Sequence, residues 1–326
     1  MKYAAGLYNE ERKMEFISSY TDNENTKRLC ITLFKSIADY ENAWGADICT
    51  RQEEELIPVV ESLTGVRFLS RTRKIVILKR YIQWCIERSV PNATNGLKNV
   101  ENVLGLNKLR TQMVSSPNHL QKYLDDVLHP EDMNTTDNTV RCFYWLAYGG
   151  MQEMDIMKVK VSDVDFDHMA VKYYSTEVPI YREAVKAFRY CVNSDAFLFY
   201  HPNYASDKRT MMQRVPGDLL LRGYKSEPNY LIFRNRLSRH SKAVRDAGRT
   251  NMELTYHRVW LSGLFYRVYE DEQIGIEPDF RPIISQLYED KEYKLDKANT
   301  TARSKLNQLA KEYTEDYQRW KLLHRT

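Results

Sequence analysis

The sequence predicts a mainly α-helical protein with one small antiparallel β-hairpin, and three observations carry that expectation. Apolar residues recur every three or four positions over most of the chain. One stretch, VDFDHMAVKYYSTEVPI, instead collects β-branched and aromatic residues around an Asp-His turn. A third stretch, rich in Pro, Asn, Gly and Ser, separates two helical parts. At 326 residues, 43% hydrophobic and 28% charged, the chain is long enough for two cores, and neither disorder nor a fibre fits.

The first hundred residues read as helices. Thr50 followed by Glu53 has the form of a capping box, and Glu53, Glu54 and Glu55 suit the positive end of a helix dipole. Pro58 makes that helix short or kinked. Ser70 is the expected cap of the next helix, in which Ile75, Leu78, Ile82 and Cys85 or Ile86 form a stripe. Arg71, Lys74, Lys79 and Arg80 are read as lying off it, giving a basic outer side. From Val90 to Asn118 the composition breaks helices (VPNATNG, VSSPNH), which places a boundary between a helical domain over 1–110 and a second domain over 117–326. Helices are then expected at His119–Leu128 and Val140–Lys158. The hairpin follows, ending at Pro179, and further helices at Arg182–Val192, Tyr230–Gly248, Leu254–Tyr269 and Thr300–Leu323.

Several function classes drop out. No run of eighteen apolar residues occurs, and MKYAAGLYNEERKMEF places charges where a signal peptide needs apolar residues, so a cytoplasmic protein without a membrane partner is expected. The five cysteines are widely spaced with no CxxC or nearby histidine pair, and read as reduced, buried thiols with no metal. Neither GxGxxG nor GxxxxGK[ST] is present, so no nucleotide and no other cofactor is expected.

Positive charge is concentrated in two places. Ser62 to Ile86 holds Arg67, Arg71, Arg73, Lys74, Lys79 and Arg80 with no acidic residue, and Ala205 to Arg249 holds eleven Lys and Arg against four Asp and Glu. In the helix from Tyr230 to Gly248, Phe233, Leu237 and Val244 fall within ~40° of one another. Arg234, Arg236, Arg239, Lys242, Arg245 and Arg249 spread over the other side. One side can pack while the other meets phosphate, since Arg makes bidentate contacts to phosphate and guanine. A solvated basic face fits the same pattern.

The order of these pieces resembles the tyrosine recombinases, the phage integrase family. GMQEMDIMKVKVSDVDF is similar in spacing to the family's Gly-x-Arg-x-x-Glu-Leu helix and the Trp-x-Asp-Ile-Asp strand start after it. The hairpin with VPI at Val178 to Ile180 follows, FRNRLSRHSKAVRDAG resembles the DNA-facing helix, and LTYHRVWLSGLFYRVYE resembles the helix bearing the second catalytic arginine. The likeness covers Leu56 to the C-terminus. It implies a two-domain clamp on double-stranded DNA, with a helical core-binding domain and a catalytic-fold domain, in which a tyrosine attacks a phosphodiester amid two arginines, a lysine and two His-or-Trp positions.

Carried over residue by residue, the family's first arginine falls on Gln152, its second on Arg258, and the preceding histidine on Thr255. His257 is two residues out of register, a turn of ~200° on a helix. Lys172 lies inside a strand rather than in the hairpin loop, and no Leu-Gly-His follows. Tyr313 and Tyr317 are the candidate nucleophiles, but Leu306, Leu309, Tyr313, Tyr317 and Trp320 recur at helical spacing and read better as packing. That stripe docks either on its own domain or on a neighbouring subunit of a homo-oligomer. Losing one charge-stabilising donor commonly costs ~3 kcal/mol in a phosphoryl-transfer transition state, so no working catalytic set is expected. The expected DNA contacts are Arg71, Arg73, Lys74, Arg234, Arg236, Arg239, Lys242, Arg245 and Arg258. The resemblance then implies a sequence-specific repressor that keeps prophage genes silent, acting on the nucleoid of a bacterial host. The alternatives are an active recombinase with a divergent site and a scaffold for an acidic partner.

Overall fold

Helices build most of both packing units of this computed structural model, which describes residues 6–63, 68–100, 109–129, 136–174, 176–200, 209–224, 226–289 and 300–324. The first unit comprises Met1–Lys108 with Phe280–Arg319, and the second Leu109–Asp279 with Trp320–Thr326. A second domain running from 117 to 326 therefore needs correcting, because Phe280–Arg319 groups with the N-terminal helices. Burial lowers the Arg71 pKa, and the nearby Arg319 charge lowers it further.

In the first unit, α1 (Glu10–Tyr20), α2 (Glu24–Trp44), α3 (Glu53–Ser62) and α4 (Phe68–Glu87) precede the segment carrying α11 (Arg281–Glu289) and most of α12 (Thr300–Lys321). Asn23 caps α2, its Oδ1 accepting the N–H groups of Asn25 and Thr26 at 3.0 Å, and Gly45 ends it at φ +61°. Phe16, Leu33, Phe34, Ile37, Leu56, Val60, Leu78 and Tyr81 are buried together. Within that core a Lys13–Glu41 ion pair is fully buried, and Asp47 accepts from the Tyr81 hydroxyl at 2.8 Å.

Three local expectations change in this unit. Thr50 does not cap α3: it ends a 3-10 turn, Ile48–Thr50, begun by Asp47, and Gln52 is the N-cap with Glu55 reaching back to its N–H at 3.1 Å. Ser70 falls inside α4 rather than ahead of it, and Arg67 lies outside the described residues. The basic outer side of α4 is narrower than expected, because Arg71 is 1% exposed and donates from Nη2 to the Val60 carbonyl at 3.0 Å. At 100° per residue position 71 stands within ~40° of Ile75, Leu78 and Ile82, so it belongs to the apolar stripe itself. Arg73 and Arg80, on the opposite side, are exposed, and Lys74 is half-buried.

The second unit is built around α6 (Thr136–Tyr148), every residue of which is buried. Around it come α5 (Pro117–Val127), α7 (Glu153–Ile156), α8 (Val185–Asn193), α9 (Tyr230–Asp246) and α10 (Tyr256–Gln273). The single helix expected over Val140–Lys158 is broken by Gly149-Gly150, where Gly150 takes φ +111° and a side chain would strike Arg267. In place of one hairpin there are two small antiparallel sheets. One runs β1 (Val164–Asp165), β2 (Ala170–Tyr173), β3 (Thr176–Pro179), and the other pairs β4 (Ala196–Tyr200) with β5 (Arg209–Gln213). Where α10 approaches α6, a Cβ on Gly263 would lie 1.8 Å from the Tyr148 carbonyl oxygen, so only glycine permits that contact. All five cysteines are free and buried. Among the described residues no helix is long and apolar enough to cross a membrane.

Candidate nucleic-acid interface

Helix α9 owes its position to its apolar side. Asn229 caps it, accepting from the Leu231 N–H at 3.0 Å, and Phe233, Leu237, Ser241 and Val244 are buried. Phe233 stacks on Phe143 of α6 with ring centres 5.0 Å apart, and the Tyr123 hydroxyl of α5 meets Ser241 Oγ at 3.0 Å. The helix ends at Gly248, φ +69°, whose N–H donates to the Arg245 carbonyl at 2.8 Å while Arg249 N–H reaches Val244 at 3.0 Å.

The cations of α9 and of the turn that follows it divide into two groups. Arg234, Arg239, Lys242 and Arg249 are exposed. Arg234 leans on Glu153 at 3.1 Å, whereas Arg239, Lys242 and Arg249 have no ion pair among the described residues. Arg236 and Arg245 are half-buried and engaged. Arg236 stands ~60° from the apolar stripe, and its Nε donates to fully buried Asp137 at 2.6 Å. Its expected role as a free phosphate contact is corrected to a largely internal one. A cleft of about 750 Å³ beside the end of α9 is lined by His119, Lys122, Arg245 and Arg249, and a smaller one of about 160 Å³ by Arg234, Ser238, Arg245 and Glu253.

The recombinase positions take other work. Thr255 is the N-cap of α10, its hydroxyl accepting the Arg258 N–H at 3.4 Å. Arg258 turns back on the preceding loop: Nη1 donates to the Glu253 carbonyl at 2.6 Å and lies 3.7 Å from the Glu253 carboxylate, which also stands 3.6 Å from Arg245. Burial lowers the Arg258 pKa, with Glu253 opposing. Gln152 is the N-cap residue of α7 and uses its carbonyl, accepting from Asp155 and Ile156 at 3.0 Å, with no capping bond from its side chain. His257 stacks on Trp260 at 6.1 Å. Lys172 sits in β2 with Nζ 2.8 Å from Asp165, whose carboxyl that lysine, with His168, holds well below the usual carboxylate range.

The candidate nucleophiles are core residues of the first unit. Tyr313 is 8% exposed and Tyr317 wholly buried, with rings 5.9 and 5.7 Å from Phe280. Trp320, the last residue of the stripe, is buried in the second unit and donates from Nε1 to the Val114 carbonyl at 2.9 Å. Tyr313, Tyr317 and Trp320 of the stripe are buried, whereas Leu306 and Leu309 are half-buried.

Sequence reasoning missed Glu253 and the loop before α10. An acidic residue two positions ahead of a cap carries no local signal, and its meeting with Arg245 and Arg258 is a property of the fold.

Residues 7–87, all within the first unit, match the family described as MrpR, N-terminal core-binding domain. No curated protein matches the chain. Among solved structures, the chain is similar to a crystal structure of XerA recombinase at 12% identity and a TM-score of 0.35, over 81% of this chain and 85% of that one.

Proposed function

We propose that this protein is a sequence-specific double-stranded DNA-binding repressor with a recombinase-like organisation and no strand-cleaving activity. The observation that carries the reading is α9, whose buried stripe fixes a helix that presents Arg234, Arg239 and Lys242 to solvent, with Arg249 just past its end. The likeness of residues 7–87 to a core-binding domain supports DNA as the polyanion. Arg73 and Lys74 of α4 add sequence-independent phosphate contacts.

Three features support loss of cleavage. Gln152 cannot neutralise a developing phosphorane charge, Arg258 is held against Glu253, and both candidate tyrosine side chains are buried. A DNA-binding protein without cleavage acts by occupying its site, which is transcriptional control. The motif order resembles the recombinase-like master repressor of SPbeta-type Bacillus prophages, and maintenance of lysogeny is the role that follows.

The test is a gel-shift and a covalent-trap experiment on the same DNA. Sites are first recovered by sequencing fragments retained by the full chain, and a nicked suicide substrate carrying one such site is then offered. Retarded bands that fall steeply with salt, without a denaturant-resistant adduct, are expected. A Tyr313- or Tyr317-dependent adduct identifies an active recombinase instead, and no retention of any DNA removes the reading.

A further inference from the structure

Three side chains that the DNA reading does not use converge beside α9. His129 just past α5, Asp137 in the first turn of α6 and His240 on α9 each offer a ligand atom, all within 4.8 Å of one another. Two imidazoles and a carboxylate suit a borderline divalent ion such as Zn²⁺, Co²⁺ or Ni²⁺. We propose that His129, Asp137 and His240 bind one divalent transition-metal ion, which ties α9 to α6 and to the end of α5.

The surroundings are those of a prepared ligand set. Arg236 Nε holds Asp137 Oδ1 at 2.6 Å, while Oδ2 accepts the His129 backbone N–H at 3.0 Å and lies 2.9 Å from His129 Nδ1. Arg141 Nη2 fixes the His129 carbonyl at 3.0 Å. The His240 ring meets His129 edge-on at 5.1 Å and has no hydrogen bond among the described residues. Burial lowers the His240 pKa against the pull of Asp137. The Asp137 carboxyl stays below its usual range and therefore ionised.

A tetrahedral ion with bonds of ~2.0–2.1 Å needs donor atoms ~3.3–3.4 Å apart. His129 Nδ1 and Asp137 Oδ2, 2.9 Å apart, must open slightly to reach that spacing, and no pair in the set, all within 4.8 Å, needs to move by much more than about 1.5 Å. The Arg236 charge opposes a further cation, so binding is weaker than at an all-protein structural zinc site.

The experiment is a Co²⁺ titration of the chelator-treated full chain, followed by competition with Zn²⁺. One ion per chain with visible d–d bands that Zn²⁺ erases is expected. His129→Ala and His240→Ala should each weaken binding at least ~10-fold, while His168→Ala leaves it unchanged. Circular dichroism checks folding, and His240→Gln, which keeps side-chain bulk, replaces His240→Ala if that variant unfolds. Absence of the bands, their persistence in both His240 variants, or equal loss in His168→Ala would show that Asp137 is only the hydrogen-bonding partner of His129 and overturn the site.

Discussion

Helices α4 and α9 carry nearly the same sequence signal and use their arginines in opposite ways. Each has an apolar stripe at three- and four-residue spacing and several cations. On α4 the first arginine of the run, Arg71, is buried against the Val60 carbonyl, with burial bringing its pKa down to about 10. On α9, Arg239 and Lys242 stand in solvent. The angle from the stripe decides between these fates. Arg71 lies among the apolar positions, Lys74 and Arg236 at their flank, and Arg73, Arg80, Arg239 and Lys242 beyond them. Local charge density marks a basic helix, whereas the angular position of each cation says whether it faces a ligand or the core.

The sharpest way to break this comparison is to truncate the buried member. Arg71→Ala leaves a cavity and removes one of the two hydrogen bonds to the Val60 carbonyl, and should cost roughly 3 kcal/mol of stability. Urea unfolding measures it, and a wild-type midpoint would mean that Arg71 faces solvent after all.

The exposed pair should behave in the reverse manner. Exchanging Arg239 and Lys242 together for alanine should cost roughly 2 kcal/mol of DNA affinity and about 2 units of the log–log salt slope, with stability within ~0.5 kcal/mol of wild type. Fluorescence anisotropy across a salt series reads both quantities. An unchanged slope would show that α9 does not touch phosphate.

Arg236, between these extremes, can be examined through its partner. Burial alone would raise the Asp137 pKa, but Arg236, His129 and nearby His240 hold it below the ordinary value. The unfolded chain therefore takes up this proton first as pH falls. The stabilisation is complete above about pH 4 and is lost as pH drops through the lower folded value. Asp137→Asn should flatten the acid limb of stability against pH, and an identical limb would show that the pair is exposed.

The smallest effect is expected at the tyrosines. Tyr313→Phe and Tyr317→Phe each remove one buried hydroxyl, should cost about 1 kcal/mol, and should leave DNA binding and reporter repression intact. Loss of repression in a variant that unfolds like wild type would make that hydroxyl functional.

Periodicity alone made most helices legible, α9 above all, because a core face repeats every 3.6 residues wherever the helix packs. The same logic placed Tyr313 and Tyr317 on a packing stripe. Short-range chemistry was less faithful: Thr50 and the unbroken Val140–Lys158 helix failed because a neighbouring turn, at Asp47 or Gly149-Gly150, competed for the same backbone, and Ser70 failed because α4 already runs from Phe68.

What the sequence determined by itself is therefore the helical class, the buried face of α9 and the basic character of its other face. Tertiary structure alone decided that Glu253 meets Arg245 and Arg258, that Asp137 takes Arg236 inward, and that His129 comes beside His240. These pairings join residues far apart in the chain or set by loop geometry, and no local periodicity encodes which side chains packing will bring within a few ångströms.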